Sequence, residues 1–247
     1  MNEQPAAPTQ NAHPLNSVVD ELFKDSKSLS AHPRSFAVEM PKDMVAFAET
    51  MERTAKLSIE YILSYDVARK HLVLTTGDEV SAIHQDVEED FKLTERIMGG
   101  SNFLHNHPTK SGLTFTMPSP GDLIALSLLH HDYVAPRYSY IVTEKGLVRF
   151  GYPRHVPTPE QHEKKIKMWV PEIKEKLNIS TTNPRMSELT PETLDKFDRL
   201  SQLYMAEWDV ENELIPWSDK KKVGSALMEF IRSSTFEALL RRLTDRE

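Results

Sequence analysis

The chain has 247 residues, 39% of them apolar and 27% charged, and a formal net charge of −7. That length allows one large domain, or one domain with a helical extension, whose core needs neither a disulfide nor a structural metal. Cysteine is absent, which excludes a thiol nucleophile, an iron–sulfur cluster, a Cys-rich zinc finger and a disulfide framework.

The acidic balance weighs against a broad nucleic-acid surface. The basic clusters, Lys220-Lys221-Lys222 and Arg241-Arg242, sit among acids and read as solvated helix faces. The N-terminal stretch lacks the basic and apolar regions of a Sec-type signal, and no run of about 18 apolar residues offers a membrane span. A cytoplasmic protein fits this pattern. The leader's composition is equally compatible with an address read by a bacterial export machine, as in an effector.

Residues 1–35 are rich in Pro, Asn, Ser, Gln and Ala and read as a mostly disordered leader, with a short helical turn at "SVVDELF". From Asp43 the pattern turns helical, with Val45, Phe47, Ala48, Met51 and Ala55 as the apolar face. Two strand-like runs follow, "LSIEYILSYD" at 57–66 and "KHLVLTT" at 70–76, joined as a hairpin. Residues 78–98 are acidic and ambiguous between strand ("EVSAI") and helix or loop ("DVEEDFKLTERIM"), and Gly99-Gly100 breaks the chain.

"SNFLHNH" is a short strand. Ser119 then opens a helix as N-cap, with Pro120 at N1 and Asp122 at N3, before "LIALSLLHH". "YSYIVTEKGLVRFGY" at 138–152 is a hairpin turning at Glu-Lys-Gly. Residues 36–157 thus form one α/β domain. Beyond Pro157 the pattern predicts an all-α extension over 158–247, with helices near 159–178, 190–213 and 219–243. In the middle one Thr190 caps, Pro191 starts, and Leu194, Phe197, Leu200, Leu203, Tyr204 and Trp208 form a packing stripe.

The chemistry concentrates in "LHNHPTKSGLTFTMPSPGDL" at 104–123. His105 and His107 stand at i and i+2, so on a strand both imidazoles share one face and can share one divalent ion. A catalytic zinc needs three protein ligands, and Asp122, in the first turn of a helix, is the available third. Ser-x-x-Asp is also a capping pattern that needs no metal. The other histidines carry plain readings. His130 and His131 close a helix, His162-Glu163 lacks the zincin spacing because residue 166 is Ile, and nothing requires His71 or His84 at the site.

Together, His105-Asn106-His107-Pro108 and Ser119-Pro120-Gly121-Asp122 resemble the JAMM (MPN-plus, JAB domain) metalloprotease motif: an upstream Glu, His-x-His-Pro, then Ser-x-x-Asp. The form resembles the bacterial type, and the Asn between the histidines resembles its RadC-like branch. The resemblance covers about 43–152 and implies a JAB/MPN-like, cytidine-deaminase-like mixed sheet flanked by helices. It implies Zn²⁺ held by His105, His107 and Asp122, Glu60 as general base, and Ser119 as a hydrogen-bond donor to the oxyanion.

The substrates it implies are peptide or isopeptide bonds, including the tail of ubiquitin or a similar small protein. Glu49 and Glu52 are the alternative acids, and Glu60 could also face solvent on a one-sided sheet. The loop between His107 and Asp122 is a few residues longer than in the motif. It either shapes a substrate groove or takes Asp122 out of the ligand set. Two further readings stand beside this one: a non-catalytic scaffold that binds a protein partner through the C-terminal helices, and a RadC-like DNA-associated protein.

Overall fold

Capping residues start the helices where the sequence places them. Asp43 accepts a hydrogen bond from the Val45 N–H at 2.8 Å, and Thr190 accepts one from Thr193 N–H at 3.1 Å. The computed structural model describes residues 12–32, 34–66, 69–77, 103–109, 113–133, 136–178 and 190–235, with 240 and 244. In chain order the elements are α1 (Leu15–Ala31), β1 (Ser35–Val38), α2 (Met44–Thr54), β2 (Tyr61–Asp66), β3 (His71–Thr76), β4 (Phe103–Asn106), α3 (Pro120–Tyr133), β5 (Tyr138–Thr143), β6 (Gly146–Gly151), α4 (Pro159–Leu177), α5 (Pro191–Glu207), β7 (Glu211–Pro216) and α6 (Lys220–Ser233). The readings at 78–98, at Gly99-Gly100 and of His84 lie outside the described residues.

The strands form one mixed sheet in the order β1-β3-β2-β4-β5-β6-β7. Every neighbouring pair is antiparallel except β4 and β5. A parallel pair needs a crossover, and α3 supplies it. The start of α3 therefore lies beyond the C-terminal end of β4, where ligand sites of α/β sheets form.

Strand alternation gives the sheet two apolar faces. On one, Tyr61, Leu63, Leu74, Leu104, Tyr140 and Leu147 pack against α1, α2 and α6 through Leu22, Met51, Leu227 and Phe230. On the other, Phe103, Ile141, Val148 and Phe150 pack against Leu123 and Leu126 of α3 and Tyr204 and Met205 of α5. The result is a three-layer α/β arrangement with helices on both faces.

Two expectations need correction. The leader is not simply disordered: α1 spans residues 15–31 and buries Val18, Val19, Leu22 and Leu29. Its apolar residues are sparse in sequence but fall on one side of the helix. The C-terminal region is not all-α either. The helix expected to run to 213 ends at Glu207, Asp209 adopts φ 52, and β7 adds a seventh strand to the sheet edge. Asp tolerates the left-handed region, which allows the reversal. Gly146 accommodates this pairing, since a methyl there would collide with the Ile215 carbonyl.

His162 is buried between two tyrosine hydroxyls. Tyr152 O–H donates to the Leu123 carbonyl at 3.3 Å, so its oxygen accepts from His162 Nε2–H at 2.8 Å. His162 Nδ1 then accepts from the Tyr204 hydroxyl at 2.8 Å. Burial pushes the imidazole down to about 4 from its ordinary 6.5. Between those values the unfolded chain binds a proton that the folded chain refuses, so stability falls as pH drops through this window. The loss approaches about 3 kcal/mol at the acid end. Urea midpoints at about pH 7.5 and about pH 5 should diverge less in His162→Gln than in the wild type. Equal divergence would assign the acid sensitivity elsewhere.

Candidate metal centre

β4, the residue just after it and the first turn of α3 bring three side chains to one point. His105 Nε2 lies 3.1 Å from Asp122 Oδ1, and His107 Nε2 lies 3.4 Å from Asp122 Oδ2. The two Nε2 atoms are 3.4 Å apart. Donor atoms of all three residues fall within 4.8 Å of one another, and they are the one group of this kind among the described residues. Both histidines are buried and Asp122 is partly so. The long loop has therefore not carried Asp122 away.

Asp122 also caps its helix. Its Oδ2 accepts from Ser119 N–H at 2.6 Å, while Ser119 Oγ accepts from Asp122 N–H at 3.2 Å. This is the reciprocal capping box. The carboxylate thus orients itself through the helix start and still presents both oxygens to the histidines. With its oxygen serving as acceptor there, the Ser119 hydroxyl keeps its proton to donate elsewhere.

The electrostatics are those of a site built for positive charge. Burial would raise the Asp122 carboxyl, but the charges and hydrogen bonds of His105 and His107 hold it well below the usual carboxylate range. Burial would lower His107. The hydrogen bond and charge of Asp122, the charge of Glu60 and the Phe115 carbonyl outweigh it and raise His107.

Outer contacts fix the His107 ring. Its Nδ1–H donates to the Phe115 carbonyl at 3.1 Å, which aims Nε2 at the cluster. The Phe115 ring meets His107 edge-on and also packs edge-on against Phe197 of α5, at 5.9 Å. Thr116 Oγ1 reaches Asp198 of α5 at 3.4 Å. The predicted helical region therefore braces the loop that orients a ligand. Sequence reasoning missed Phe115 and read Phe197 only as part of a packing stripe. The signal for Phe115 was an aromatic residue inside a segment otherwise typical of a flexible loop.

Glu60 immediately precedes β2 and is half-buried. Ile62 pairs with His105 in the antiparallel β2–β4 ladder, so those side chains share a face. The paired register ends there, two residues short of Glu60, but Glu60 lies near enough for its charge to act on the His107 imidazole. Glu49 and Glu52 lie on α2, which covers the opposite face of the sheet, and Glu52 pairs with Lys220. His130 and His131 sit at the end of α3, where His131 Nε2 bonds the Val156 carbonyl. His71 pairs across from Asp66 in the β2–β3 ladder. None of these joins the cluster.

The donor set fits a divalent ion. Two imidazole nitrogens each about 2.05 Å from a tetrahedral zinc would stand about 3.3–3.4 Å apart, the separation found between the two Nε2 atoms. Imidazole and carboxylate together suit zinc better than magnesium or calcium, which take oxygen ligands. Compared with known proteins, the chain matches no family model, no curated protein and no solved structure.

Proposed function

We propose that the protein is a zinc-dependent hydrolase of the JAMM type, cleaving peptide or isopeptide bonds. The observation that carries this reading is the convergence of His105, His107 and Asp122 within 4.8 Å, with Glu60 near enough for its charge to act on His107. The mixed sheet between two helical layers is compatible with the JAB/MPN-like arrangement that the motif implies.

His105, His107 and Asp122 would hold the ion. Bound there, zinc supplies Lewis acidity and lowers the pKa of water toward neutrality. The chain's own residues do the rest. Glu60, near His107, takes the proton of the attacking water and passes it to the leaving amine. Ser119 donates its hydroxyl proton to the carbonyl oxygen as charge develops there. The Phe115 carbonyl and the capping box keep the ligands from turning away. The burial of both histidines strengthens their interactions with Asp122.

The substrate class follows the same reading: an amide within an extended tail, such as that of ubiquitin or a ubiquitin-like protein. Mass spectrometry should find about one zinc per chain, lost in His107→Ala, and ubiquitin chains should be cleaved in a chelator-sensitive way. Absence of bound metal would overturn the reading. Bound metal without cleavage of any peptide or isopeptide substrate would favour the scaffold instead.

A further inference from the structure

Asn106 stands between the two histidines and points to the other side of the strand, fully buried. It is neither a ligand nor within the site. Its carboxamide spans a break in the sheet. Oδ1 accepts from the Tyr61 N–H at 2.7 Å, and Nδ2 donates to the Ile59 carbonyl at 3.0 Å. Those two backbone groups flank Glu60.

The β2–β4 ladder needs this bridge because β4 runs out of backbone partners at that level. The His107 N–H turns instead to the Val142 carbonyl of β5, at 3.2 Å, and Pro108 has no N–H. From the other neighbour, Gly77 N–H donates to the Glu60 carbonyl at 2.8 Å. Thr109 adds two bonds to the preceding turn, from N–H to the Leu57 carbonyl at 2.9 Å and from its hydroxyl to the Ala55 carbonyl at 2.8 Å. The segment 55–61 has no regular secondary structure before residue 61 beyond the end of α2, yet the chain just after the histidines stitches it in place.

We propose that Asn106 is a positioning residue that sets Glu60 near His107. The inference rests on the hydrolase reading of the site. The requirement is chemically narrow: one acceptor and one donor on a single planar group, reaching two backbone groups two residues apart. Serine or threonine offers one oxygen for both tasks. Aspartate has the shape of asparagine but, at a pH where it is ionised, turns an oxygen toward the Ile59 carbonyl, oxygen against oxygen. Asn106→Asp therefore keeps packing volume and the bond to Tyr61 while releasing the other side of Glu60. A displacement of about 1 Å in a catalytic group can cost about 100-fold in rate.

The test uses the full-length protein loaded with Co²⁺ alone, whose d–d absorption reports the ligand field and the charge and hydrogen bonding beside it. Glu60→Gln should alter the band while one Co²⁺ per chain remains. Asn106→Asp should produce the same alteration, again with one Co²⁺ per chain. The double variant should add nothing to either, since both act through one carboxylate. With ubiquitin chains, Asn106→Asp should lower kcat about 10–100-fold with little change in KM.

A wild-type spectrum in Asn106→Asp, or a double variant whose change is the sum of the two, would overturn the proposal and leave the metal site standing. Failure of the wild type to bind Co²⁺ would remove the site reading itself, and this inference with it. Asn106→Ala, which leaves both backbone groups unpaired, serves as the harsher variant. If it unfolds while Asn106→Asp stays folded with a normal spectrum, Asn106 is structural and the proposal fails.

Discussion

Glu60→Gln is expected to lower amide hydrolysis by about 10²–10⁴-fold while leaving the metal content unchanged. Glutamine keeps the size of the side chain and both polar atoms, so the entry to β2 keeps its backbone bonds through Asn106 and Gly77. It removes the one thing the proposed mechanism asks of this residue, an oxygen that can accept a proton. Because the loss is in the chemical step, kcat should fall and KM should stay nearly constant. The variant has a second readout in the metal-free protein. Glu60 is one of the groups holding His107 above its ordinary value, so a histidine titration followed by NMR should show His107 moving down in Glu60→Gln. Unchanged turnover would mean that another group takes the proton, and an unmoved His107 would mean that Glu60 does not face it.

How much of this was legible beforehand depends on which physical signal each feature leaves in the chain. The histidine pair was legible because a strand repeats every two residues, and the chain keeps both rings together although β4 ends at Asn106, between them. The start of α3 was legible from Ser119, Pro120 and Asp122. Helix cap and metal ligand do not exclude each other, since the one carboxylate caps the helix and still faces both histidines. Glu60 sits in an apolar run whose alternation fits either face, and its nearness to the site shows only in its charge acting on His107.

The C-terminal half was the least legible. "ENELIP" has low strand propensity and follows a strong helix, and it becomes a strand because β6 offers an unpaired edge. Similarly, nothing local shows that Phe197 would brace the loop carrying Phe115, because that contact spans 82 positions of sequence, as the Thr116–Asp198 bond beside it does.

Removing Asp122 should abolish the site, and its neighbours allow the two jobs of this side chain to be separated. Asp122→Ala loses the ligand and half of the capping box, and Asp122→Asn keeps an oxygen for the Ser119 N–H but loses the charge. Both should weaken zinc binding by more than about 100-fold, since even outer partners of a ligand contribute about 10–100-fold. Ser119→Ala removes the acceptor for the Asp122 N–H and the hydroxyl proposed to bond the oxyanion, so it should cost about 1 kcal/mol of stability and slow turnover while leaving zinc bound.

The metal-free protein supplies an independent check through pH. Asp122 is lowered, so its contribution is present above about pH 3.9 and is lost as pH falls through its folded value. His107 is raised, so its contribution is present below about pH 6.5 and is lost as pH rises through its folded value. The pair therefore stabilises the metal-free fold most between about pH 4 and about pH 6.5. Above that window the proton leaves His107, which is also the condition under which a metal ion can take its place. Urea midpoints recorded with chelator should show this local maximum superimposed on the acid-side loss from His162, and Asp122→Asn should flatten it. A pH profile unchanged by Asp122→Asn, together with retained zinc, would mean that Asp122 is a helix cap alone.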